Sequence, residues 1–402
     1  MKGLIMKTLQ NNKTKLFICL ALVSVTFVSS VHAMPPDPSN AGLLYYQAFL
    51  MQRKTDKNTL KMVSKLAKGE IEPNETIVEY LNNNKTAIKF AAVAADMPIC
   101  DWGLKYSDGF ALEIPYLSQT RNLAYILIAQ ARAKASIKDY DTAVEHCLTA
   151  QKMADHISQS LLISYLVGHS IKNMSYNCLL EMISQTQLDL KLLEKLKTQL
   201  DVIEGKNVSF RVALEFERNS IVEMVSEMDT DEMFKYTDGF FEKDEPNKAI
   251  LLERINSANQ EFYDKNVEYL SAFLAEYLAI PELPYAQAYQ KTKELNDRPA
   301  RNFKDNPDVT TAVMFCPSLV KAYNYEAKRR SLSNALRAAV SIYIIVAKTG
   351  QLPDHLPEGL PKDIYSDQDF NYQITDQGFI LKCNSENLYE GKIYEYEFKI
   401  TK

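Results

Sequence analysis

Residues 118–156 read SQTRNLAYILIAQARAKASIKDYDTAVEHCLTAQKMADH. Apolar residues recur through this stretch at the spacing of a helix that buries one face. The pattern predicts helices over 118–136 and 139–156, and so few residues separate them that the two must lie antiparallel. A helical hairpin cannot bury its apolar faces alone, so other helices have to cover it.

Outward from the hairpin the same period continues. Toward the N-terminus it predicts helices over 40–54, 57–68 and 76–95, the last with Thr76 and Glu79 at capping-box spacing. Toward the C-terminus it predicts 159–183, 188–204 and 209–228. The acidic stretch 230–247 reads as irregular, which puts a possible sub-boundary near 229–247. Helix resumes over 248–278, stops at Pro281 and Pro284, and returns briefly over 286–295. Pro317 suits the first turn of a last long helix, which Gly350 and Pro353 close after Lys348. Only 12 glycines in 402 residues speak against a fold built on many tight β-turns.

After residue 350 the pattern changes. Prolines 353, 357 and 361 imply an extended connector, and residues 371–375, 378–383 and 392–400 alternate like short strands. The expected fold is therefore mainly α: an irregular array of antiparallel helices over 34–350, then a connector and a small antiparallel β appendage over 351–402.

The N-terminus carries an address. Lys2, Lys7, Lys13 and Lys15 precede an uncharged apolar run, Leu16 to Val28, and Val31 and Ala33 fit the small positions before a cleavage site. The run is shorter than the ~18 residues a membrane span needs. Residues 1–33 are expected to be a signal peptide, the product to be periplasmic or extracellular, and no later segment to span a membrane. Removing those residues leaves 42 basic against 51 acidic side chains, a net charge of −9. That balance argues against a nucleic-acid partner and shows no polybasic patch for an anionic membrane.

Cysteines 100, 147, 178, 316 and 383 remain. Five is an odd number, and the wide spacing is not a disulfide framework. Cys147 and Cys178, on adjacent helices, are the first pair to expect; buried free thiols are the other reading.

Signatures of catalysis fail in turn: there is no G-x-S-x-G, H-E-x-x-H, P-loop, G-x-G-x-x-G or C-x-x-C. His146, beside Cys147, could meet His156 and His169 only if separate helix faces converged. Asp229, Asp231 and Glu232 start like a calcium loop, but Phe234 and Phe240 occupy its glycine and glutamate positions. Asp367, Asp369 and Asn371 have D-x-D-x-N spacing without the rest of that loop. Arg211, Glu215 and Arg218 read as a salt-bridged helical face, and Lys328-Arg329-Arg330 with Arg337 as an anion clamp or a solvated face. No cofactor or metal is expected.

Residues 97–115 break the helical period and hold the only tryptophan. Asp101, Trp102, Tyr106 and Asp108 are the candidate binding residues, since binding groups gather on loops. The competing role for Trp102 is a plug in the core, where large aromatics usually sit.

Two resemblances add to this. Lys138 to Ala143, followed by Ala150, resembles the turn of a tetratricopeptide hairpin, in one unit only. Three stretches, Asn40 to Phe49, Cys100-Asp-Trp-Gly103 and Gly350 to Leu381, together resemble uncharacterised exported proteins of planctomycete-type bacteria. That resemblance implies an exported helical protein and assigns no reaction. Taken together, these readings point to an extracytoplasmic helical binding or scaffold protein with a protein or envelope component as partner. The alternative is a cell-envelope hydrolase with its site near the Trp102 loop.

Overall fold

In a computed structural model of the chain, the described residues are 37–159, 161–185, 188–240, 248–305 and 319–400. They are mainly helical, with one small sheet near the C-terminus. The helices are α1 (Ala41–Met51), α2 (Lys57–Ala67), α3 (Glu75–Asn83), α4 (Lys85–Ala95), α5 (Tyr116–Ser136), α6 (Tyr140–Ile157) and α7 (Leu162–Gln185). They continue as α8 (Leu190–Gly205), α9 (Phe210–Glu227), α10 (Thr230–Phe240), α11 (Lys248–Asn256), α12 (Gln260–Tyr277), α13 (Tyr285–Asp305) and α14 (Leu319–Thr349). Residues 40–402 form one compact unit that includes the sheet.

The hairpin of α5 and α6 lies at the centre. Leu123, Ile126, Leu127 and Ala131 of α5, and Ala143, Val144, Cys147 and Ala150 of α6, are buried. Helix α7 closes tightly on α6: a Cβ on Gly168 would stand 2.1 Å from Ser158 Oγ and 2.7 Å from the Ala154 carbonyl oxygen. Only glycine permits that approach. The 31-residue α14 then crosses α7 and α8, burying Ala335, Leu336, Ala338, Ala339 and Ile342.

Strands β1 (Asn371–Thr375), β2 (Gly378–Lys382) and β3 (Glu395–Lys399) form an antiparallel meander in that order. The register pairs Ile374 with Phe379 and Phe379 with Phe398. Phe379, Leu381 and Phe398 face inward onto α14. There the Tyr343 ring lies 5.6 Å from Phe379, and its hydroxyl donates to the Lys399 carbonyl at 2.6 Å.

Several boundaries differ from expectation for local reasons. The helix expected over 76–95 is two helices meeting at Asn84. The first is capped by Asn74, whose side chain accepts from the Ile77 N–H at 3.0 Å, and not by Thr76. Residues 230–240, expected to be irregular, are helical. Asp229 caps them by accepting from the Glu232 N–H at 2.8 Å, acidic side chains complement the positive helix start, and Met233 is buried. The 248–278 helix breaks at Ser257–Asn259, where Asn259 caps α12. Helix α13 runs through Asp305, well past the short segment expected there. The segment expected to be a signal peptide, residues 1–33, and Pro307, Cys316 and Pro317 lie outside the described residues.

Candidate functional site

Two interior constellations bring together residues with chemical potential. The first is an aromatic stack at the start of the unit. Tyr45 and Phe49, four residues apart on α1, project toward the loop after α4, where Trp102 is buried. The Trp102 ring lies 4.1 Å from Tyr116, 5.3 Å from Tyr45 and 6.4 Å from Phe49, near parallel to all three. Its indole N–H donates to the His156 carbonyl at 2.9 Å, and the Tyr45 hydroxyl meets His156 Nδ1 at 2.9 Å. Burial pushes the Tyr116 phenol up to about 12, so it serves as a hydrogen-bonding neutral group.

The second constellation is ionic and lies between α6, α7, α8 and α14. Residues 326, 329 and 333 fall at i, i+3 and i+7 on α14, and residues 169 and 172 at i, i+3 on α7, so each helix presents its polar groups on one face. Arg329, 2% exposed, donates to both oxygens of Glu326 at 3.1 and 3.2 Å and to Glu204 at 3.3 Å. Ser333 also donates to Glu204, at 2.9 Å. His169 Nδ1 donates to the Tyr165 carbonyl at 2.8 Å, and its Nε2 stands 3.0 Å from Glu326. Lys172, fully buried, donates to Asp155 and to the Asn207 side chain.

The electrostatics follow from burial set against pairing. Burial opposes ionisation of Glu326, but Arg329 and His169 outweigh it and hold the carboxyl well below its usual range. Glu204 is lowered in the same way, with Arg329 and Lys172 outweighing its burial. Burial pushes Asp155 up and Lys172 down, each against the pull of the other. Burial also lowers His169, against Glu326. Burial and pairing therefore oppose each other at every member of the cluster.

Asp155 is also where this cluster meets solvent. It lines a cleft of about 250 Å³ with Asp96, Lys152, His156, Gln199 and Lys206, under the loop that leads to Trp102. Lys152 pairs with Asp96 across its mouth at 2.7 Å. Glu326 lines another cleft, of about 350 Å³, beside Tyr285, Tyr323 and Arg330.

The candidate loop residues separate. Trp102 sits in the stack. Asp101 is exposed, and its backbone N–H and carbonyl are both tied to the Asn40 side chain at 2.8 Å, which fixes the start of α1. Its carboxylate accepts from the Gly103 N–H at 2.9 Å. Tyr106 is 43% exposed and meets Phe216 edge-on at 5.7 Å. Asp108 pairs with Lys105 and lines a different cleft, with Glu223, Glu227 and Tyr236.

The histidines do not converge either. His146 is partly buried, its neighbour Cys147 points into the core, and His355 is exposed. Among the described residues, no group of three His, Cys, Asp or Glu side chains is arranged to hold a metal ion. Cys147 and Cys178 adjoin across α6 and α7 as buried free thiols, the second of the two readings the sequence left open, and not as a disulfide. The Asp367–Asn371 turn is organised by the fully buried Asp363. That carboxylate accepts from the Tyr365 N–H at 3.0 Å, the Ser366 hydroxyl at 2.7 Å and the Asn384 N–H at 2.8 Å.

Sequence reasoning missed the ionic cluster. Arg329 was expected on a clamp or a solvated face, and it is the centre of the buried network. The available signal was the spacing of Glu326, Arg329 and Ser333 along an otherwise apolar helix face.

No protein-family model, curated protein or solved structure matches this chain. Among the described residues, no helix is long and apolar enough to cross a membrane.

Proposed function

We propose that this chain is an exported helical binding protein that offers surfaces, not an active site, to an envelope or protein partner. One observation supports this above the others: Asp101, Trp102, Tyr106 and Asp108 take separate positions, with the one aromatic suited to a pocket spent on the core stack. The interior charges are occupied with one another in the same way. Antiparallel helix arrays of this kind present extended surfaces to partners.

The cleft under the Trp102 loop favours a second reading, an envelope hydrolase. Asp155 there is a carboxyl raised by burial and open to a cavity, as a general acid requires. A hydrolase screen of the protein, wild type beside Asp155→Asn, separates the two. The binding reading predicts no turnover in either. Turnover in the wild type that disappears in a stably folded Asp155→Asn protein would replace it with the hydrolase.

A further inference from the structure

The overall acidity leads to the expectation of no polybasic patch, and the exposed surface corrects it: the charge reverses locally. Between residues 51 and 68 stand six cations, Arg53, Lys54, Lys57, Lys61, Lys65 and Lys68, and one acid, Asp56. All six cations are exposed, and none forms an ion pair with a described residue. Asp56 offsets one of them, leaving five in excess; its carboxylate caps α2, accepting from the Asn58 and Thr59 N–H groups and the Thr59 hydroxyl.

Helix geometry gathers these charges. Lys57, Lys61 and Lys68 stand at i, i+4 and i+11 and so lie on one line along α2. The opposite face, Thr59, Val63, Leu66 and Ala67, is buried. The Arg53 N–H donates to the Asn84 side chain at 3.0 Å, which brings exposed Lys85 to the same edge. Beside these cations stand apolar side chains that the core does not use: Leu50 at 82% exposure, Met51 at 48% and Leu60 at 40%.

We infer that the end of α1 together with the outer face of α2 forms a docking surface for an anionic phospholipid bilayer. Cations alone would fit any polyanion. Lipid is favoured by the apolar protrusions among them, since interfacial segments combine Lys and Arg for the headgroups with Leu and Met that enter the acyl boundary. The inference deepens the binding reading and rests on it by naming the partner.

The experiment is co-sedimentation with vesicles of 30% phosphatidylglycerol in phosphatidylcholine, against pure phosphatidylcholine. The wild type is expected to bind only the anionic vesicles and to release as salt rises. Lys57→Ala/Lys61→Ala/Lys68→Ala should weaken binding on the order of a hundredfold, at roughly fivefold per cation. Leu50→Ser/Met51→Ser/Leu60→Ser should weaken it at constant charge. All these positions are exposed, so thermal melts of both variants should match the wild type.

Absence of vesicle binding by the wild type overturns the inference. So does binding that the charge variant loses and the apolar variant keeps, which would mark the partner as a soluble polyanion, with heparin as the probe. Neither result touches the binding reading itself, which falls only to turnover lost in Asp155→Asn.

Discussion

Arg329 and Glu204 are 125 residues apart in the chain and meet at 3.3 Å in the interior, where Arg329 also grips both oxygens of Glu326. One guanidinium thus compensates two buried carboxylates from different helices. Arg329→Met should leave both unpaired and destabilise the protein by roughly 3–5 kcal/mol. Adding Glu204→Gln and Glu326→Gln should recover part of that loss, because no charge then stays stranded. Urea denaturation of the single and triple variants checks this; a triple variant weaker than the single by the sum of its parts would contradict it.

Trp102 fills the stack formed by Tyr45, Phe49 and Tyr116. Trp102→Ala should cost about 3–5 kcal/mol, from the cavity and the lost aromatic contacts. Trp102→Phe should cost less while still losing the hydrogen bond to the His156 carbonyl. Equilibrium unfolding followed by circular dichroism measures both. The wild type, with one tryptophan, should show a blue-shifted emission that moves red on unfolding.

Burial lowers His146, His156 and His169 below their ordinary value. An unfolded histidine takes up its proton near pH 6.5, and the folded ones do so only at lower pH. In that window the unfolded chain binds more protons, so stability falls as the solution is acidified. The urea midpoint should drop steadily from pH 7.5 to 5.5. Glu204 and Glu326, both lowered, add a second loss only at more acidic pH, below the ordinary carboxylate range. A flat midpoint across the first interval would show that the histidines do not control it.

Burial pushes the Cys100 thiol up to about 12, and those of Cys147 and Cys383 upward as well. Thiolate is the reactive form. A thiol reagent at pH 8 should therefore leave Cys100, Cys147 and Cys383 unmodified in the native protein, and Cys178 as well because it is buried, and label all four in denaturant. Mass spectrometry of the labelled peptides reads this out.

Gly168 lets α7 approach α6 more closely than a side chain allows. Gly168→Ala should destabilise by about 1–3 kcal/mol, since its methyl group would meet Ser158 and the Ala154 carbonyl. Gly168→Ala/Ser158→Ala should recover only part of this, because the backbone oxygen stays in place. Thermal melts of the two variants give the comparison.

The helices of the central hairpin and the three strands were legible because their apolar periods, 3.6 and 2, are written locally. The division at Asn84 was not, because the apolar pattern runs across it and only the Asn74 cap marks the true start. Helix α10 escaped notice because acidic residues that discourage a helix elsewhere favour its first turn. For the site, local reading located the Trp102 loop but could not decide which way each side chain points. Nor could it see that Glu204, Lys172 and Arg329 share one volume, since their proximity is set by how α8, α7 and α14 cross.

The seating of Phe398 against Tyr343 and Phe379 has a consequence for the order of assembly. Synthesis runs from the N-terminus, and α14 packs against α7 and α8 and, through Tyr343, against this sheet, whose strand β3 also meets α7. The first hairpins can close early through neighbours in sequence. The Tyr343 side of α14 stays uncovered until residue 398 has emerged, because no earlier residue supplies β3. A ribosome stalled anywhere short of that point therefore carries helices with an open seam, and chaperones would meet this chain there.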